Sequence, residues 1–167
     1  MNDELAITMR VILIGVGATV VMDAWAVLLK RCFGIPSLDW AMVGRWLGHL
    51  PQGRFFHERI AAASAVRGER IIGWAAHYVT GVVFAAALVA VSGIGWARQP
   101  TLLPSLVFGV FTVAAPFLVM QPGMGAGIAA SKTPNPPVAR LRSLVTHAVF
   151  GVGLYGSALL TALLMGA

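Results

Sequence analysis

Four stretches of the chain are almost free of charge: residues 9–29, 71–91, 102–120 and 144–164. Each is 19 to 21 residues long, enough for a helix to cross a hydrocarbon layer of about 30 Å. In lipid every backbone N–H and C=O has to be paired within the segment, and runs this long, rich in Leu, Val, Ala and Gly, achieve that as helices. A barrel would need alternating segments of about 10 residues, which are absent. The pattern therefore predicts an all-α membrane protein, a single integral domain over residues 1–167 built as a bundle of four transmembrane helices.

The two longer connections, 30–70 and 121–143, carry more than turns. Phe33-Gly34-Ile35-Pro36 ends the first helix, and Ser37 or Asp39 can cap a new one. Leu38, Met42, Val43, Trp46 and Leu47 then recur near helical spacing, with Arg45 and His49 on the other face. This predicts a short helix lying in the interface, Trp46 at headgroup depth and Arg45 toward headgroups or water. After Pro51-Gln52-Gly53 a second helical stretch is expected from Phe55 to about Arg67. Between the third and fourth spans, Gln121-Pro122-Gly123-Met124-Gly125-Ala126-Gly127 and Ser131-Lys132-Thr133-Pro134-Asn135-Pro136-Pro137 read as a flexible re-entrant or interfacial loop. A phosphate loop counted back from Lys132 would need glycine at 131 and 126, where Ser131 and Ala126 stand.

Composition agrees with the pattern: 58% of the 167 residues are hydrophobic, 11% are charged, and mean hydropathy is +0.82. Those values exclude a soluble enzyme and a disordered tail. Cys32 is alone, which excludes a disulfide scaffold. The net charge of +6 would suggest nucleic acid in a soluble chain, but ten of the twelve basic residues lie in connections 30–70 and 121–143. Basic residues beside spans are retained on the cytoplasmic side and meet anionic lipid headgroups, so no nucleic-acid partner is expected. The same count places both long connections in the cytoplasm and both termini outside. Met1-Asn2-Asp3-Glu4 is acidic where a signal peptide is basic, so the first span is expected to be an uncleaved anchor.

Beyond Arg10 at the start of the first span, three charged or histidine residues lie inside the spans: Asp23, His77 and His147. They sit seven, seven and five residues from the basic residues Lys30, Arg70 and Arg142, or roughly 10, 10 and 8 Å from the cytoplasmic ends. Rows of residues four apart place small neighbours beside them: Gly15, Thr19, Asp23; Gly73, His77, Gly81, Ala85; and Ser143, His147, Gly151, Tyr155. Gly109, Thr112 and Pro116 give the third span a similar face. Small faces let membrane helices approach closely. The spacing predicts that Asp23, His77 and His147 converge inside the bundle, with Thr19 and Tyr78 as neighbours. His77-Tyr78-Val79-Thr80-Gly81-Val82 and His147-Ala148-Val149-Phe150-Gly151-Val152 also share a weak repeat.

The quoted residues combine into a recognisable set. Ala18-Thr19 with Met22-Asp23 and Trp25, Gly44-Arg45-Trp46, His57-Glu58, Glu69 with Gly73-Trp74 and His77-Tyr78, Met120-Gln121-Pro122-Gly123, and Arg140 with His147 and Gly151 resemble an uncharacterised bacterial inner-membrane family. It is catalogued as domain of unknown function number two-nine-three-eight. The resemblance spans nearly the whole chain and implies a small bacterial multipass protein. It supplies no activity, cofactor or catalytic residue.

Several chemistries suit these residues. Asp and His chains in membranes serve as relays, which points to proton-coupled or small-solute transport. A buried polar cluster can instead fix helix register in a structural or partner-binding subunit, alone or as a homo-oligomer. Two imidazoles and a carboxylate also suit a transition metal, and two histidines can ligate haem, although no helix carries the paired spacing of a dedicated site. For a membrane enzyme the candidates are His57, Glu58 and Glu69 at the cytoplasmic surface. His57-Glu58 is not a metalloprotease motif, because position 61 is Ala61.

Overall fold

The computed structural model describes residues 3–165, and among them there are helices and turns but no strands. Four helical segments are long and apolar enough to cross a membrane: Glu4–Phe33, Glu69–Ser92, Leu102–Met124 and Pro136–Met165. Helix α1 runs Asp3–Phe33. Gly34 follows it at φ +64, and Ile35 N–H reaches back to Leu29 O at 3.2 Å. Turning the chain back in this way takes a left-handed residue, which glycine adopts without strain, and Pro36 prevents the helix from resuming. Helix α2 spans Trp40–His49 and is capped by Asp39, whose side chain accepts from Ala41 N–H at 2.9 Å. Helices α3 and α4 are Glu69–Ser92 and Ile94–Arg98, separated by Gly93 at φ +83.

The third apolar stretch is interrupted. Helix α5 covers Leu102–Phe111, a π turn covers Pro116–Met120, and α6 covers Gln121–Met124. Pro116 and Pro122 each lack the N–H that would close an ordinary helical bond. Between them the register widens, so that Gln121 N–H bonds Pro116 O. Helix α7 is Pro136–Met165, opened by two prolines in its first turn, where an N–H would have no partner in any case. Helix therefore extends into both ends of the segment expected to be a flexible loop.

The described residues form two compact units. One comprises residues 3–37, 78–112 and 145–165. In it Ile14 and Ala18 of α1, Ala85, Leu88 and Val89 of α3, Trp96 and Ala97 of α4, and Phe150, Leu154 and Ala158 of α7 form one core, with Phe108 of α5 packed against it. Glycines let these helices touch backbone to backbone. Gly15 meets Gly81 and Val82, Gly109 meets Gly151, and Gly153 meets Ala18. The small-residue rows read from the sequence are thus contact seams.

The other unit comprises residues 38–77 and 113–144. Its centre is Arg45. The guanidinium grips Glu69 through two bonds of 2.8 Å, Nε to Oε2 and Nη2 to Oε1, and Nη1 donates to Ala63 O at 3.1 Å and Ala61 O at 3.3 Å. Glu69 Oε2 also accepts from Val66 N–H at 3.0 Å. These bonds overturn two expectations. Arg45 does not face headgroups or water; its side chain is only 12% exposed. Residues 55–67 do not form a second helix but an irregular segment with a single 3-10 turn, Ile60–Ala62. The carbonyls and amides that a helix would pair internally are taken by Arg45 and Glu69, and charge-assisted bonds outweigh a modest helical preference.

Candidate functional site

The sequence-derived residues make three sets of contacts. The first is in the four-helix unit, where Tyr78 of α3 donates its hydroxyl to Asp23 Oδ2 of α1 at 2.9 Å. Thr19, one turn before Asp23, is buried, and its hydroxyl donates to Gly15 O of its own helix at 2.8 Å. It also lies against Gly81, where any larger residue would collide with it. Thr19 therefore serves the α1–α3 seam.

The second set, in the same unit, holds His147 of α7, buried and 2.8 Å from Thr112 Oγ1 through Nδ1. The Thr112 hydroxyl has one hydrogen, directed at Gly109 O at 2.6 Å, so its oxygen accepts from His147 Nδ1–H. A donor, an acceptor and the Gly109–Gly151 contact fix α5 against α7 in one register. The small, slightly polar face of the third span was readable from Gly109 and Thr112; its pairing with His147 was not.

The third set is in the smaller unit. His77 stacks on Trp40 with ring centroids 3.8 Å apart and planes 23° apart, and Trp74 meets it edge-on at 5.9 Å. Glu69 is bound to Arg45. That carboxylate's hydrogen bonds, and secondarily the charges of Glu69 and Asp39, raise the pKa of the guanidinium, while burial acts in the opposite sense. Glu58 is exposed, but His57 is not simply part of a solvated face. Its Nε2 lies 2.9 Å from Nδ1 of His49, and its own Nδ1 lies 3.2 Å from Gly123 O. His49 is 2% exposed. Sequence reasoning placed His49 on a polar helix face; the available signal was a second histidine eight positions later.

Among the described residues, no three His, Cys, Asp or Glu side chains are grouped so as to hold a metal ion, and this covers Asp23, His77 and His147. A family model described as "Protein of unknown function (DUF2938)" matches residues 12–161. The chain belongs to this family. No curated protein and no solved structure matches the DUF2938 chain. The matched range contains every DUF2938 residue discussed above: Asp23 with Tyr78, Thr112 with His147, Arg45 with Glu69, and His49 with His57.

Proposed function

We propose that this DUF2938 protein is a multipass inner-membrane protein that exchanges protons at Asp23, in proton-linked movement of a small solute. The observation that carries this reading is the Tyr78–Asp23 hydrogen bond between the apolar stretches of α1 and α3. Placing an Asp at such depth costs about 2.5–3.5 kcal/mol on insertion scales, so a residue of this kind is a functional candidate in its own right. Its partner suits the task. An ionised carboxylate accepts the phenol hydrogen, and a protonated one can donate to the phenol oxygen. The pair keeps one hydrogen bond in either state, so a proton can leave and return without separating the helices.

Proteoliposomes loaded with a pH-sensitive dye test this. Asp23→Asn is expected to abolish proton-linked flux in a folded protein. Tyr78→Phe leaves the carboxyl in place and is expected to reduce flux several-fold. If Asp23→Asn retains wild-type flux and lowers only the melting temperature, Asp23 is a structural residue.

A structural or partner-binding role is the second reading, and it is favoured at His147, where the histidine proton is committed to Thr112 across a glycine contact. Orientation follows from charge: connections 30–70 and 121–143 face the cytoplasm and both termini the periplasm. Arg54 beside the exposed Phe55 and Phe56 then suits anionic headgroups.

A further inference from the structure

We infer that His49 and His57 form a proton-operated latch in the smaller unit, which holds one added proton and loosens segment 54–58 when it takes a second. The segment is tied down at three points beyond the 3.3 Å bond from Arg54 N–H to His49 O. Trp46 Nε1–H donates to Phe55 O at 2.9 Å. His57 N–H donates to Gly123 O at 2.9 Å. The third tie is the imidazole of His57, which reaches α2 through His49 Nδ1 and α6 through Gly123 O. Glycine is required beneath it: a Cβ on Gly123 would lie 2.5 Å from Trp46 Nε1, and one on Gly125 would strike the Glu58 carbonyl.

The hydrogen bonds fix where the protons are. A carbonyl oxygen only accepts, so His57 Nδ1 carries a hydrogen. In neutral His57 that leaves Nε2 as an acceptor, and His49 Nδ1–H must donate to it. The ring centroids are 5.0 Å apart, close to what two imidazoles give when they meet nose to nose across a 2.9 Å N···N bond. The remaining basic nitrogen of the pair is His49 Nε2. A first added proton goes there, and the bond survives as a charge-assisted one. A second can go only to His57 Nε2. Two N–H donors then face each other on two cations, and the bond is lost.

The charged groups around the pair set where this happens. On α2 Arg45 lies one turn before His49, and on α3 Glu69, bound to Arg45, feels the charge of His49. The segment itself carries Arg54 and Glu58, with Arg59 next in sequence. Residues Gln121–Met124 of α6 and the 3-10 turns Leu50–Gln52 and Ile60–Ala62 bring no charge.

Hydrogen exchange on the full chain in lipid nanodiscs tests the latch. Across about pH 8 to 5, the window in which histidine changes charge, protection of the His57 amide, corrected for intrinsic exchange, is expected to fall about tenfold, roughly the worth of one such bond. His49→Gln removes one titrating group, yet its amide can donate to neutral His57 or accept from charged His57. It is expected to stay protected throughout the window. Constant protection in the wild type, or loss in His49→Gln at the same pH, overturns the inference. Nitrogen NMR of the wild-type imidazoles gives an independent check that needs no variant. Near neutral pH His57 is expected to carry its hydrogen on Nδ1, and a hydrogen on Nε2 alone would refute the latch.

Discussion

Gly44→Ala and Gly73→Ala are each expected to melt the protein far below the wild type. A Cβ on Gly44 would overlap the Glu69 carbonyl oxygen and stand 2.7 Å from Gly73 N; one on Gly73 would overlap the Trp40 carbonyl oxygen and stand 3.1 Å from Gly44 N. Every colliding atom is backbone, so no rotamer change relieves the clash, and α2 would have to lift from the start of α3. Overpacking of this kind costs about 1–3 kcal/mol, and rigid neighbours place these two at or above the top of that range. Gly156→Ala is the control. Nothing lies within 4 Å of its Cβ position, and Ala is a better helix former than Gly, so stability is expected to hold or rise by up to about 1 kcal/mol. Thermal unfolding in detergent checks all three, and a Gly44→Ala protein that melts with the wild type would contradict the packing described.

The second large effect is expected at the ion pair. Arg45→Met leaves Glu69 and the carbonyls of Ala61 and Ala63 without their donor, and Glu69→Met leaves Arg45 without its acid. Removing one member of such a pair is worse than removing both, because the survivor keeps its charge in a site built for two. The Arg45→Met, Glu69→Met double variant is therefore expected to melt above either single variant. Arg45→Lys is not expected to rescue, since an ammonium cannot make the two-point grip on Glu69 and reach both carbonyls as well. Additive losses in the double variant would mean that the pair is solvated and that residues 55–67 are held by something else.

These two effects mark where sequence reasoning succeeds and fails. The end of α1 at Phe33-Gly34-Ile35-Pro36, a cap at Ser37 or Asp39 and the small-residue rows were all readable, because each depends on residues within one or two helical turns. The second helical stretch failed for the opposite reason. Residues 55–67 have a tolerable helical pattern, but their backbone is claimed by Arg45, ten or more positions away, and by Gly123, whose carbonyl takes the His57 amide. Helical periodicity carries no information about such partners. The same limit applies to α2. Its polar face of Arg45 and His49 looks solvated by spacing, yet both side chains are partnered, Arg45 by Glu69 and the buried His49 by His57. For the spans, the sequence located Asp23, His147, Tyr78 and Thr112 but could not say which hydroxyl would serve which ionisable group.

The proposed function requires Asp23 to gain and lose a proton within the membrane. Infrared difference spectroscopy of the protein in vesicles, stepped between alkaline and acid pH, observes that event directly. A carbonyl band of a protonated carboxylic acid is expected to grow on acidification, to be absent in Asp23→Asn, and to shift in Tyr78→Phe because the hydrogen-bond partner is gone. A difference spectrum that Asp23→Asn leaves unchanged in the carboxylic-acid region would contradict it.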